Sequence, residues 1–348
     1  MARVAAQGFV LTMLRCPAAA ARCCGFACVL ALTLTAVACL AAQTATPSAT
    51  AVPVTVTPVV LNPTDPSQQS VGRFVYAGGV ALEAPSALRF GGLSDIDVTS
   101  NGRMVVVSDE GRFVEASLVL DRQGRVSNVV DIRTTQLVGT DGRPLVEKVV
   151  ADAEGLAILP SGDRLVSFER QHRIWRYPSG GGLPVPAPAP ESAPSLSANA
   201  GLEALTVLPG GTDRRTYLAG SEGGVVWLCR LDDGCRETAL GTRVPEDYGL
   251  TAMAASPDGE TVALLARSFD PQRGVRIVVR LVGRAAIDSP SVPLLDELVL
   301  SEPLTRDNFE GIAVVNGGQP GILRLYLLSD NNFSDSQKTY LLAFDWKK

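Results

Sequence analysis

Lysine, histidine and aromatics are scarce in this sequence. Only four of the 348 residues are Lys, one is His, and aromatics make up 5%. A lone His172 argues against a histidine-rich zinc centre. No G-x-S-x-G is present, which leaves a Ser-His-Asp hydrolase elbow without support. No P-loop occurs, and no G-x-G-x-x-G opens a helix. Acids outnumber bases, 36 to 31. The net charge is −5, yet the first 64 residues hold Arg3, Arg15 and Arg22 and no acid, so the remainder carries −8. That acidity argues against nucleic acid as a partner. It suits cations, or a site built from carboxylates.

The N-terminus reads as a targeting segment over residues 1–38, to be kept out of the fold. The uncharged run "GFACVLALTLTAVA" (25–38) follows Arg15 and Arg22 and is short for a membrane span. "AVA" at 36–38 suits a signal peptidase. "AVAC" also resembles a bacterial lipobox, with Ala36 where Leu is usual and Cys39 as the lipidated residue. Both outcomes predict export to the periplasm or cell envelope or secretion, with membrane contact only through a lipid on Cys39. Residues 39–70, rich in Ala, Thr and Pro, read as a disordered tether, and 71–348 as the folded domain. Five of the seven cysteines (Cys16, Cys23, Cys24, Cys28, Cys39) fall in or beside the leader. Cys229 and Cys235 remain, flanking Asp-Asp-Gly, and read as a disulfide across a hairpin.

After residue 70 the pattern is short β-rich runs between Gly, Asp, Asn and Pro, with no helical period of useful length. A second biased stretch, 178–195, reads as a Pro-rich loop. The runs repeat. Ser94, Glu154, Glu203, Thr251 and Glu310 each open an apolar run, at spacings of 60, 49, 48 and 59. Seven residues after each comes a turn residue and Gly: Asn101-Gly102, Ser161-Gly162, Gly210-Gly211, Asp258-Gly259 and Gly317-Gly318. Strand, tight turn and returning strand, repeated about every 50 residues, predict an all-β propeller. Five blades are visible and six possible. The run 72–82 is expected to close the ring beside 339–346.

In such a hairpin the start of the first strand and the end of the second share one edge. Glu154 then meets Glu169, Ser94 meets Asp109, Glu203 meets Glu222, and Glu310 meets Asp330. Blade four departs, with Thr251 and Arg267. Seven acids are thus expected at one mouth of the central channel. Clustered carboxylates repel and are costly to bury unpaired. Ca²⁺ is the natural counter-ion in an exported protein, and Arg170, Arg173 and Arg267 are the alternative. The competing reading is of solvated or ion-paired acids that only fix blade geometry.

The segments "GGLSDIDV…VVVSDEGRF", "VADAEGLAILPSGDRLVSFERQHRIWRYP", "NAGLEALTVLPGG" and "DNFEGIAVV…LRLYLLSDNNFSDSQKTYLLAFDW" resemble the bacterial exported phytase-like proteins ("esterase-like activity of phytase"). The resemblance runs over roughly residues 70–346. It implies an exported propeller-like domain that hydrolyses phosphate or other esters. Asp109, Glu154, Glu169, Glu203, Glu310, Asp330 and Asn332 fall on the family's motif positions, and Glu110 departs from them. From the residues, Glu154, Glu169, Glu203, Glu310 and His172 are the candidate catalytic groups. Arg170, Arg173 and Lys338 are the candidates for holding a small-molecule ester or phosphoester. Asp109, Glu222 and Asp330 are the candidate Ca²⁺ ligands. The domain reads as a monomer. The alternative function is a non-catalytic envelope propeller that binds a ligand or a protein partner.

Overall fold

The computed structural model describes residues 47–348, apart from Arg89 and 211–214. The leader (1–38), Cys39 and the first part of the tether lie outside the described residues. No helix among the described residues is long and apolar enough to cross a membrane.

The chain forms five four-stranded antiparallel blades. Blade 1 is Leu93–Val98, Arg103–Ser108, Arg112–Leu120 and Val126–Gln136. Blade 2 is Ala153–Ile158, Arg164–Phe168, Arg173–Tyr177 and Val185–Ala187. Blade 3 is Leu202–Val207, Thr216–Ser221, Val226–Arg230 and Gly234–Glu237. Blade 4 is Gly249–Ala255, Thr261–Asp270, Gly274–Gly283 and Leu294–Leu300. Blade 5 takes Asn308–Asn316, Ile322–Asp330 and Thr339–Lys347 from the C-terminus. Its outer strand, Phe74–Glu83, comes from the N-terminal side and pairs antiparallel with Thr339–Lys347. The expected ring closure is therefore present.

Each innermost strand packs on the next, and blade 5 packs back on blade 1. Both faces of a blade are buried between neighbours, so the core divides into one cluster per interface. Val107, Phe113, Leu156 and Val166 lie between blades 1 and 2. Leu165, Leu205 and Tyr217 lie between 2 and 3, and Leu218, Met253 and Leu264 between 3 and 4. Leu265, Phe309 and Leu325 lie between 4 and 5, and Ile96, Val106, Ala313 and Leu328 between 5 and 1. Five interfaces close the ring and leave no place for a sixth blade. Blades 5 and 1 are also joined at their edges by one parallel bridge, Gly78 to Val126. Gly78 has φ +87, and a Cβ there would sit 2.5 Å from the Val126 carbonyl oxygen, so only glycine fits.

Two segments are more ordered than composition predicts. Part of the expected tether is strand: Thr50–Ala51 pairs with Arg133 and Thr134, and Thr55–Pro58 pairs with the outer strand of blade 5. Leu61 is fully buried beside Phe74 and Trp346. The Val/Thr alternation of "PVTVTPVV" outweighs its prolines, because an edge strand needs a donor only at alternate residues. Likewise, the Pro-rich stretch supplies Val185–Ala187 as the outer strand of blade 2.

The repeated turns need positive φ, as expected, at Gly102, Gly162 and Gly259, while in blade 3 the residue before the expected one, Gly210, has it and Gly211 lies outside the described residues. Blade 5 differs: Gly321, not Gly318, takes the left-handed conformation. Cys229 and Cys235 face each other across their hairpin and are joined by a disulfide. The bond closes a short loop, with a sequence separation of 6. Replacing both cysteines by Ser should therefore cost about 2 kcal/mol, read as a lowered urea midpoint. A full collapse of the fold would contradict this local role.

Candidate functional site

A β-bulge marks the mouth end of every innermost strand. In blade 1 Leu93 faces Ser108 and Asp95 faces Val107, which leaves Ser94 out of the ladder. The same slip leaves out Glu203 in blade 3, Thr251 in blade 4 and Glu310 in blade 5. In blade 2 it falls between Ala153 and Leu156, at Glu154 and Gly155. A bulge re-aims the extra residue, and here it turns the repeat's marker side chain into the channel mouth. The following residue then faces crowded inner strands and is small in four blades: Gly155, Ala204, Ala252 and Gly311. A Cβ on Gly155 would lie 2.9 Å from the Glu203 carbonyl oxygen. A Cβ on Gly311 would lie 3.0 Å from the Asp95 Cα. The Glu-Gly pairs of the sequence thus join a functional carboxylate to a packing requirement.

Asp95 holds the corresponding position in blade 1. It is 1% exposed. Its carboxylate accepts the backbone N–H of Ile96 and, from blade 2, of Leu156, each at 2.8 Å. It also accepts a backbone N–H from Ile312 of blade 5. Leu156 and Ile312 each lie two residues beyond a mouth glutamate, so Asp95 ties together the strands that carry Glu154 and Glu310. Ser167 does related work: it accepts from Gly155 N–H at 2.8 Å and donates to the Leu202 carbonyl at 2.7 Å.

All ten residues expected at the mouth line one cavity of about 330 Å³, joined by Lys148, Asp152, Arg170, Asn199 and Asn332. Eight carboxylates there (Asp109, Asp152, Glu154, Glu169, Glu203, Glu222, Glu310, Asp330) face three cations. Each cation is already engaged. Lys148 Nζ lies 2.6 Å from Asp109 Oδ2 and also pairs with Asp152 Oδ1. Arg170 Nε donates to Asp152 Oδ2 at 2.6 Å. Arg267 Nη2 lies 3.3 Å from Glu310 Oε1.

Burial sets the proton affinities. It holds Glu154 well above the usual carboxylate range, and the nearby charges of Glu203 and Asp152 push the same way. Burial raises Glu203 strongly too, followed by Glu169, Glu310 and Glu222. The neighbouring carboxylates, Asp152 beside Glu154 and Glu169 beside Glu203, add to burial in favouring the protonated forms of Glu154 and Glu203. Burial lifts Glu310 to about 7 although Arg267 opposes it. Burial, with Asp109 adding repulsion, lifts Asp330 to about 6.

These raised groups predict the sign of the pH dependence. A carboxyl with a raised folded pKa stays protonated in the native state where the unfolded chain has already ionised. Its favourable contribution is complete below the unfolded value and is lost as pH rises through the folded one. Chelator-treated protein should therefore melt lower at pH 8 than at pH 5, with the loss from Asp330 and Glu310 accumulating as pH rises toward their folded values of about 6 and about 7. Thermal melts across this range test it. A melting temperature that rises between pH 5 and 8 would contradict it.

The closest carboxylate group differs from the expected one. Asp152, Glu154 and Glu169 offer oxygens that all lie within 4.8 Å of one another. Asp109, Glu222 and Asp330, expected as metal ligands, belong to blades 1, 3 and 5 and form no such group among the described residues. Blade symmetry spaces them around the mouth. Three other expectations move out of the cavity. His172 Nε2 sits 3.1 Å from the Ser197 carbonyl oxygen, and the ring packs against Gly201. Arg173 stacks on Phe168 and Trp175, and burial lowers its pKa to about 10. Lys338 Nζ bonds Glu83 at 2.7 Å. None of the three lines the cavity.

Asp152 and Lys148 were not expected there. A short helix, Lys148–Ala151, carries Lys148 in from the link between blades 1 and 2, and four residues give no readable period. Asp152 lies two residues before Glu154, and "ADAEG" was its only signal.

Fold and site together define a five-bladed propeller with a carboxylate-lined channel mouth. The family model "Phytase-like: Esterase-like activity of phytase" matches residues 88–333, and the chain belongs to this family. Among solved structures, the chain is similar to the Cps50 (Swd1) β-propeller domain of Myceliophteria thermophila, at 10% identity and TM-score 0.34. That match covers 68% of this chain and 66% of the other. It is also similar to the tail fiber of Staphylococcus aureus phage P68, at 8% identity and TM-score 0.41, over 79% of this chain and 52% of the other. The chain thus spans under two thirds of either structure's length. No curated protein sequence matches it. The blade assignment rests on the strand pairing and not on these two structures.

Proposed function

We propose that the protein is an exported hydrolase of phosphate or other small-molecule esters, with a calcium-dependent site at the channel mouth. The observation that carries this reading is the convergence of the Asp152, Glu154 and Glu169 oxygens at the bulged strand ends. Family membership supports a hydrolase-like activity. An all-oxygen, carboxylate-rich donor set fits a hard cation such as Ca²⁺ better than a soft metal. Asp109 Oδ1, buried and without a hydrogen-bond partner among the described residues, adds to that fit.

Asp152, Glu154 and Glu169 would hold the ion, and when bound it supplies Lewis acidity toward an ester oxygen. Lys148 and Arg170 fix the Asp152 carboxylate from two sides. Glu310, with its pKa near 7, can take a proton from attacking water or return one to the leaving oxygen. Burial and the neighbouring Glu169 favour a proton on Glu203, which can act as a second proton store.

The non-catalytic reading draws on one observation. The two mouth hydroxyls are engaged, Ser94 Oγ with the Gly92 carbonyl at 3.3 Å and Thr251 Oγ1 with the Phe309 carbonyl at 3.1 Å, so neither is presented as a nucleophile. The two readings part on a substrate panel. Purified protein is expected to hydrolyse at least one of 4-nitrophenyl phosphate, phytate and 4-nitrophenyl acetate. No turnover of any ester, with calcium present, would leave only the binding role.

A further inference from the structure

The ring of mouth residues is uniform in charge except at one blade. The second strand ends in an acid in four blades: Asp109, Glu169, Glu222 and Asp330. In blade 4 the same place holds Arg267, and its partner on the first strand is the uncharged Thr251. Both line the cavity. Blade 4 is therefore the only part of the mouth that brings a cation and no carboxylate of its own. The closest carboxylate group is built on blade 2, so the cavity is charged unevenly around its wall.

Arg267 is placed firmly. Its backbone pairs with Gly249 on one side and Ile277 on the other. Among the described residues its one ion pair is Nη2 with Glu310 at 3.3 Å. Its Nε is buried and has no hydrogen-bond partner among the described residues. A buried donor left unmade is costly, and a guanidinium presents its donors as a planar fork suited to the paired oxygens of a phosphoryl or carboxylate group. Thr251 donates its hydroxyl to the Phe309 carbonyl and adds no charge. An anion at this wall meets two carboxylates fewer than at blades 2, 3 and 5.

We infer that Arg267 is a substrate-orienting residue, which binds an anionic oxygen of the ester on the blade 4 side while the reacting ester faces the Asp152, Glu154 and Glu169 side. The preferred substrates are then phosphoesters, or esters with a carboxylate beside the ester bond, over neutral esters. This rests on the hydrolase reading for the reaction but not for the anion site itself. Lys148 and Arg170 both pair with Asp152 beside the blade 2 group, and Arg173 and Lys338 lie outside the cavity, so none of them occupies the blade 4 side.

The test is calorimetric binding of inorganic phosphate to the full chain in calcium, followed by kinetics on 4-nitrophenyl phosphate and 4-nitrophenyl acetate. Arg267→Gln should weaken phosphate at least about tenfold, and Arg267→Lys should restore part of the loss. The variant should also lose at least about tenfold more kcat/KM on the phosphate than on the acetate. Because Arg267→Gln leaves Glu310 unpaired, the double variant Arg267→Gln/Glu310→Gln is needed, and it should bind phosphate as poorly as the single one. Recovery of phosphate binding in the double variant would make Arg267 a mere counter-charge and overturn the inference. Equal phosphate affinity in wild type and Arg267→Gln, or none in either, would overturn it too. Absence of turnover with a lost phosphate site in Arg267→Gln would instead sink the hydrolase reading and leave the anion site standing.

Discussion

Glu154→Gln is expected to abolish the response to calcium and lower kcat/KM about 100- to 1000-fold, while raising the melting temperature of the calcium-free protein at pH 8. The two effects have one cause. Burial, Glu203 and Asp152 all disfavour the ionised form of Glu154, and no cation pairs with it directly. At pH 8 the metal-free fold must therefore either keep a proton there or bear the repulsion. Gln has the same shape and no charge, so it relieves this cost. It also removes a negative charge from the one group among the described residues whose oxygens lie within 4.8 Å. Wild type saturated at about 100 times its dissociation constant would gain about 2.7 kcal/mol from calcium, and Glu154→Gln should gain nothing measurable. Melts with and without calcium, beside initial rates, read both halves. A variant that loses activity together with calcium-free stability would mean that Glu154 serves the fold.

The largest expected loss of stability lies below the mouth, at Asp95. Asp95→Ala leaves the N–H groups of Ile96, Leu156 and Ile312 without their acceptor. Each unsatisfied buried donor costs about 1–3 kcal/mol. The substitution also removes a carboxyl whose own burial is unfavourable, as its strongly raised pKa reflects. The net expectation is a loss of about 3 kcal/mol, read from denaturant midpoints at fixed pH. Calcium affinity should fall with it, because Leu156 anchors the strand that carries Glu154. A loss below about 1 kcal/mol, no more than an ordinary surface change would give, would show that the strands hold their bulges without this tie.

Much of the architecture was legible because it repeats. A marker residue, seven positions and a turn glycine recur in each blade, and periodic strand–turn–strand signals need no tertiary information. The ten mouth positions followed from hairpin geometry alone. What the pattern hid depends on partners. A bulge exists only relative to the strand beside it, so the slip that turns Glu203 or Glu310 into the mouth leaves no local sign beyond the small residue that follows. Asp95 looks like an ordinary strand acid in "LSDIDV" until blades 2 and 5 are placed around it. His172 and Arg173 were tempting because they follow Glu169 and Arg170 in sequence. Strand alternation and ring stacking turn them away. Repeat symmetry spreads the equivalent acids Asp109, Glu222 and Asp330 apart, whereas Asp152 breaks the symmetry and brings its oxygens close to those of Glu154 and Glu169.

Ester hydrolysis at this mouth should depend on calcium held by the blade 2 carboxylates. The most direct test is turnover of 4-nitrophenyl phosphate against free calcium concentration, for wild type and Glu154→Gln. The expected result is a saturable rise in wild type, abolished by chelator and absent in the variant. Turnover that persists unchanged in excess chelator, or that survives in Glu154→Gln, would contradict it.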